Sequence, residues 1–288
     1  MPYPETLVAF AILPGLPLLV LWIMMKRWLG KRQSTSRWPF PCQPRPAGWS
    51  LQQRTEDLMV DLVMNVMLLL MVGLMASGIA IHTGQWVVTG LTGALGSLFF
   101  AWRIAIGARN VVNYRLGLAG EQIVGTRLEE LRASGCQVFH DLEVREKGRD
   151  PWNIDHIVVA PTGVYAIETK ARRKSIQPTP DGQLGHKVIF DGRCLRYPRG
   201  TDTHGLEQAQ RNADHLRELL RKQNTTDIPV FPVLVLPGWY VVVQKEGAVT
   251  VFNEKQVRHM GFKKPVALGP KLLAAVSAQI ETLCQTEE

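Results

Sequence analysis

The sequence has few of the residues that staple small folds or bind structural metal. Its 288 residues include four cysteines, Cys42, Cys136, Cys194 and Cys284. They lie far apart, form no CxxC pair and sit in no Cys/His cluster at metal-ligand spacing, so neither a disulfide scaffold nor a structural zinc site is expected. Internal repeats and low-complexity tracts are also missing. Acidic residues are in deficit, with 25 Asp and Glu against 33 Lys and Arg for a net charge of +8. After Ile106 there is no long apolar run, whereas three precede it. That asymmetry excludes a single uniform soluble globule.

The three runs are residues 7–25, 58–81 and 86–106. At a rise of ~1.5 Å per residue, each can cross most or all of a hydrocarbon layer ~30 Å thick. The first lacks a basic residue before it and carries Lys26 and Arg27 after it, so it reads as an uncleaved span rather than a secretory signal. Pro14 and Pro17 are tolerated in a bilayer when neighbouring groups satisfy the freed carbonyls. The reading is therefore a membrane anchor of three transmembrane helices over 1–106, followed by a domain over 107–288. The connection after the first run contains Lys26, Arg27, Lys31, Arg32, Arg37, Arg45 and Arg54, and the third run exits beside Arg103, Arg109 and Arg115. The 82–85 link has no Lys or Arg. Positive charge marks the cytoplasmic side, which puts the amino terminus outside and the carboxy-terminal domain in the cytoplasm. The basic surplus of the first part then needs no nucleic acid to explain it.

Asp61 and Asn65 are four residues apart and share a helix face. A carboxylate inside a membrane is by default a transport or relay candidate. Here Asp61 lies within a turn of the cytoplasmic end, so it reaches water, and Asn65 is read as bonding to a neighbouring helix. Gly73, Gly78, Gly90, Gly93 and Gly96 are small residues that let membrane helices approach, which makes this half an anchor in the lipid bilayer with a potential for homo-oligomer contacts. A small transport or channel accessory ranks third among the functional readings.

In the second part, residues 116–134 show helical periodicity through Ile123, Leu128 and Leu131, with Gly135 as the stop. Residues 136–144 alternate as a strand. Two β-branched runs, 153–160 and 164–170, flank Pro161, Thr162 and Gly163 and predict a hairpin. Residues 187–190 and 193–197 flank Asp191-Gly192, a type I′ turn signal for a second hairpin. Residues 206–222 form an amphipathic helix through Leu206, Ala209, Ala213, Leu216 and Leu220. Buried strands at 229–236 and 239–243, a short strand at 249–252, a helical turn at 254–260 and a closing helix at 272–283 follow. The expected class is α/β, a mixed sheet flanked by helices.

Charged residues inside the first hairpin carry the chemistry, because a charge in an apolar strand needs a reason. Glu168 and Lys170 project to the same side by alternation. Asp155 joins them only if the hairpin loop is even, Thr162-Gly163 alone or 160–163; a three-residue loop would set it opposite Thr169. Two converging carboxylates repel unless a cation lies between them. A hard divalent ion, Mg²⁺ or Mn²⁺, takes one or two carboxylates while keeping several waters. Such an ion would polarise a phosphate oxygen and acidify a water that Lys170 orients, which is the chemistry of phosphodiester hydrolysis. Glu121, early in the first helix of this part, is placed to add a third carboxylate, and Gln208 opens the face of the amphipathic helix that turns toward the sheet. Arg172, Arg173 and Lys174 follow Lys170 directly and are candidate contacts to a nucleic-acid backbone. His156 faces away from Asp155. Trp152 and Trp239 read as packing residues rather than base-stacking platforms.

The segments GLAGE at 117–121, NIDHIVVAPTGVYAIETK at 153–170 and LEQAQRNADHLRELL at 206–220 resemble the nuclease-related domain family, NERD. That family is similar to the restriction-endonuclease-like superfamily with its D…(D/E)xK core. The resemblance covers roughly 116–222 and implies a restriction-endonuclease-like fold. It implies Asp155 and Glu168 as metal-binding acids, Lys170 as the catalytic lysine, Glu121 as the helix acid and Gln208 as the helix glutamine. His204-Gly205 stands where the family often has a turn with Asn and Pro. The leading expectation is a membrane-anchored, divalent-metal-dependent nuclease acting on DNA or RNA, with DNA favoured as partner. The runner-up is a catalytically inactive, membrane-tethered module that binds nucleic acid or protein.

Overall fold

The computed structural model describes residues 44–146, 148, 150–174, 185–223, 227–260 and 264–284. The apolar run at 7–25 lies outside the described residues. Two compact units are present: residues 55–113 make one, and residues 44–54 together with the chain from Tyr114 onward make the other.

Two helices, α1 (Trp49–Thr83) and α2 (Trp86–Glu129), supply the first unit. Both are long and apolar enough to cross a membrane, so the described residues contain two such helices where three apolar runs were expected. Their large apolar side chains point outward, among them Leu70, Leu74, Val87 and Leu95. Such exposure is uncommon on a protein surrounded only by water. The helices approach through Gly93 and Gly96, where an added Cβ would lie 2.6 Å from Ala76 and 2.9 Å from Val72. Gly73 and Gly90 face open space, with nothing within 4 Å of an added Cβ, so they are not part of that contact. Asn65 does not reach across to a neighbour, because its Nδ2 donates to the Asp61 carbonyl of its own helix at 2.6 Å.

The second unit is a mixed α/β fold with two sheets. The last turns of α2 pass through a 3-10 turn, Glu130–Ser134, to Gly135, whose φ of 81° ends the helix in the left-handed region. The buried stripe of this helix is Val124, Leu128 and Leu131; Ile123, expected on the core face, is exposed. Strands β1 (Gln137–Val144), β2 (Trp152–Ala160) and β3 (Gly163–Thr169) run antiparallel. After β3 come β4 (Lys187–Phe190), β5 (Leu195–Arg196), β6 (Thr201–Asp202) and helix α3 (His204–Gln223). Then follow β7 (Val230–Val235), β8 (Tyr240–Val243), β9 (Thr250–Phe252), a 3-10 turn at Val257–His259 and α4 (Pro270–Leu283). The larger sheet has the order β1-β2-β3-β7-β9, with β7 and β9 parallel to β3, and the smaller has the order β6-β5-β4-β8.

Apolar alternation packs both faces of the larger sheet. One face carries Ile157, Val159, Val164 and Ala166 against Ala213, Leu216 and Leu220 of α3 and Ile280 of α4. The other carries Val138, Val158, Tyr165 and Ile167 against Val124 and Leu128 of α2. Leu206 and Ala209 at the start of α3 face the smaller sheet, so one apolar stripe serves two cores.

The second hairpin differs from its sequence signal. Phe190 pairs with Leu195, so the loop has four residues rather than a two-residue type I′ turn. Only Gly192 takes a positive φ, 92°. Asp191 uses its carboxylate instead, accepting from the amides of Arg193 at 3.0 Å and Cys194 at 2.9 Å.

Candidate active site

The first hairpin closes with the pair Ala160↔Gly163 around Pro161 and Thr162, and its ladder reads back to His156↔Ile167. One more step of this register sets Asp155 opposite Glu168. That is the register of the 160–163 loop alternative, tightened by one further pair. Opposed residues of an antiparallel ladder share a face.

The sheet changes phase at this level. In β1 and β2, Phe139, Ile157 and Val159 belong to the same core as Leu142, Val144 and Ile154, although strict alternation would put the two groups on opposite faces. Between them, the Asp141–Asp155 pair is missing from the ladder while the pairs on both sides are made. Asp141 takes φ 57°, the single non-glycine residue with positive φ among the described residues. The strand pair therefore turns over at two aspartates, a local break of the kind found beside functional sites.

Around this break lies a cavity of about 340 Å³ lined by Glu121, Asp141, Asp155, Glu168, Lys170 and Gln208, among others. The five residues expected to make the site are thus brought together. Asp155 Oδ2 accepts the Thr169 amide at 2.7 Å. Lys170 Nζ lies 2.7 Å from Glu168 Oε1 and donates to Gln208 Oε1 at 2.8 Å. Asn212, one turn after Gln208, donates to Glu168 Oε2 at 2.9 Å, and its own Oδ1 accepts the Trp152 indole at 3.1 Å. Asn212 is fully buried. Both Glu168 oxygens are therefore held, one by a cation and one by an amide.

The electrostatics are those of crowded acids. Burial, then the charges of Asp141 and Glu168, push the Glu121 carboxyl up to about 8, with Lys170 opposing. Burial, then Glu168 and Glu121, raise Asp155 well above the ordinary aspartate value, against the pull of the Thr169 amide and Lys170. Burial also raises Glu168, while Lys170 and Asn212 lower it. Desolvation combined with like charge is the pattern in which a carboxylate keeps its proton until a cation replaces it.

Asp141 and Asn212 were not singled out by sequence reasoning. Asp141 lies inside a strand signal that gives no hint of a site, and its partner lies far off in the chain: Oδ2 accepts the Ser50 amide and Oδ1 the Ser50 hydroxyl, both at 2.7 Å. Asn153 Nδ2 bonds to both Ser50 Oγ and Asp141 Oδ1. Asn212 did carry a signal, since it lies four residues after Gln208 on the same helix face.

The basic triplet is placed apart from the acids. Arg172, Arg173 and Lys174 line a different cavity of about 220 Å³ with Tyr197 and Trp239. Arg172 is engaged within the fold, 3.1 Å from Asp202 and stacked 4.4 Å over the Tyr197 ring. It is not a free phosphate contact. His156 faces away from Asp155, as alternation requires, and pairs with His140 at 2.9 Å. Trp152 and Trp239 pack edge-on against His215 and Tyr197, at 5.4 and 5.2 Å between ring centres.

As a cation site, the donor set offers carboxylates with raised proton affinity and one counter-charge. Among the described residues no group of three or more His, Cys, Asp or Glu is arranged to hold a metal ion. Mg²⁺ requires less than that, because it binds through one or two carboxylates and completes its shell with water.

Residues 116–237 match the family model described as NERD, nuclease-related domain. The match runs past the expected limit at 222 and takes in all of β7. An uncharacterized protein of Bacillus anthracis is 43% identical over 54 residues, 19% of this chain and 26% of that protein. The chain thus spans about a quarter of that relative's length. No solved structure matches.

Proposed function

We propose that the protein is a membrane-anchored nuclease that hydrolyses phosphodiester bonds of DNA or RNA with the help of a divalent cation. The observation that carries this reading is the meeting of Asp155, Glu168 and Glu121 in one cavity, with Lys170 Nζ 2.7 Å from Glu168. The nuclease-related match over 116–237 supports the same class of chemistry. Asp155, Glu168 and Glu121 are the residues that would hold the cation. What such an ion supplies is polarisation of a phosphate oxygen and acidification of a water.

The chain's own groups do the rest. Asp155 is steadied by the Thr169 amide and Glu168 by Asn212, so both acids present fixed oxygens. Lys170, aligned by Gln208, orients the attacking water. The anchor is the apolar run at 7–25 together with α1 and α2, an odd number of spans that puts the amino terminus outside and the domain after Ile106 in the cytoplasm. The experiment is cleavage of labelled DNA and RNA, single- and double-stranded, by the full chain in detergent with Mg²⁺, Mn²⁺ or EDTA. The expected result is cleavage that requires the metal and disappears in Asp155→Ala and Lys170→Ala.

A second reading is a membrane-tethered nucleic-acid binding module without turnover. It is favoured by the pairing of Lys170 with Glu168 Oε1 and of Asn212 with Glu168 Oε2, which occupies both oxygens of one of the acids a cation would use. Binding that survives Glu168→Ala, with no cleavage in either form, decides for it.

A further inference from the structure

The cavity that holds the acids has a wall from outside the family-matched region. Ser50, Leu51 and Arg54, all in the first two turns of α1, line it together with Glu121, Asp155 and Lys170. These residues belong to the same compact unit as the acids. We infer that Arg54 is a phosphate-binding residue of this site, gripping the nucleic-acid backbone opposite the acids.

Three observations support this. First, the segment is held in place. The Ser50 amide and hydroxyl both bond to the buried Asp141, which caps the start of α1 from another element. The Gln52 amide donates to the Gly48 carbonyl at 2.8 Å, so the helix is formed from its first turn. Leu51 packs on α2 where Gly117 leaves room, its Cδ1 3.1 Å from the position a Cβ would take. Second, Ser50 and Arg54 are four residues apart on one helix, so the face that Ser50 turns to Asp141 also carries Arg54. Third, Arg54 is exposed, lines the cavity and has no ion pair among the described residues. Lys170 is already paired with Glu168 and Gln208.

The chemistry asks for such a cation. A phosphodiester entering a cavity of several carboxylates meets repulsion, and one lysine is committed to holding an acid. A guanidinium presents a planar fork that matches two phosphate oxygens and keeps its charge at every working pH. This inference rests on the nuclease reading for the location of the substrate, and adds that the site is incomplete without residues 44–54.

The test uses the full chain in detergent micelles and fluorescein-labelled DNA duplexes of several sequences, with Ca²⁺ in place of Mg²⁺ for binding. Arg54→Ala weakens binding about tenfold for every sequence alike and lowers the slope of log affinity against log salt by about 1. Arg54→Lys keeps most of the affinity, since it retains the charge. In Mg²⁺, Arg54→Ala raises KM about tenfold with kcat changed less than about threefold, as loss of uniform substrate binding does. Unchanged affinity and salt slope in Arg54→Ala overturn the inference. A wild-type protein that binds without cleaving defeats the nuclease reading alone, and the salt slope still decides Arg54. A protein that neither binds nor cleaves overturns both.

Discussion

Asp155 and His156 are neighbours in the chain, and each anchors a buried polar cluster on its own face of the larger sheet. On the His156 face the cluster closes on itself. Arg132 bonds to Glu129, whose Oε1 lies 3.1 Å from His140 Nε2, and His140 Nδ1 lies 2.9 Å from His156 Nδ1. Burial pushes Glu129 up, but hydrogen bonds from Arg132 and His140 bring it below its ordinary value. With an ionised Glu129, His140 donates from Nε2 and accepts at Nδ1 from His156, so two neutral rings and one ion pair satisfy the chain. Within this chain of groups, His156 Nε2 is the atom left without a partner among the described residues. In the Asp155 cluster, Glu121, Asp155 and Glu168 are all raised by burial and have one lysine among them. No choice of tautomer can neutralise like-charged acceptors. One cluster balances its charge within itself, whereas the other holds more buried acids than cations.

The largest separation between the two faces is expected in catalysis. Lys170→Ala lowers the cleavage rate in Mg²⁺ by about 10²–10⁴-fold, and Glu168→Ala by at least as much. His156→Leu leaves the rate within about threefold while costing roughly 1–3 kcal/mol of stability, because His140 Nδ1 loses its donor. Initial rates and thermal melts on the three variants check this. Equal loss of activity from both faces would break the contrast.

Next comes Asn212→Ala. It leaves the acids and the lysine in place but frees Glu168 Oε2, so activity falls about 10- to 100-fold, as for partners that orient metal-binding groups. An Mg²⁺ titration locates the loss: a shifted half-saturation point with a recoverable maximal rate is expected.

The two faces also titrate in opposite directions. An acid whose folded-state pKa is raised binds more protons folded than unfolded, so stability falls as pH rises from about 4.5 to about 8 through Glu121. Burial and then His140 hold the His156 imidazole well below its ordinary value. Stability from that group is complete above about 6.5 and is lost as pH falls below it. Melting curves of the metal-free protein from pH 5 to 8.5 are expected to flatten on the alkaline side in Glu121→Gln and on the acid side in His156→Leu. Addition of Mg²⁺ at pH 8 raises the wild-type melting point more than that of Glu121→Gln.

The smallest effect is assigned to Arg172. Its guanidinium is tied to Asp202 and Tyr197, so Arg172→Ala costs about 1 kcal/mol or less of stability. Nucleic-acid affinity, read from a salt titration, stays within about threefold.

Much of this architecture can be read from local pattern. Period-two alternation locates β1 to β3, and the parity of Asp155, Glu168 and Lys170 leaves few registers, one of which is realised. Four of the five expected site residues lie on regular elements and Lys170 directly follows β3, its amide bonded to the Val235 carbonyl at 2.9 Å, so their meeting in one cavity follows largely from spacing. What escaped the sequence depends on distant contacts. Asp141 adopts a left-handed backbone beside Ser50, a partner 91 residues away. Asn212 looks like one more polar residue on a surface helix, yet it is buried between Trp152 and Glu168. Asp191-Gly192 has the letters of a two-residue turn, but the aspartate side chain captures two amides and widens the loop. Ile123 and Val124 differ by one step of helix phase, which periodicity over so few residues does not resolve.

The account is tested most directly by calorimetric titration of the full chain with Mn²⁺ at pH 7.5 in two buffers of different ionisation enthalpy. Binding is predicted with net release of protons from the crowded carboxyls, and its loss in Asp155→Ala and Glu168→Ala but not in His156→Leu. Absence of binding, or binding without proton release that all three variants retain, would contradict it.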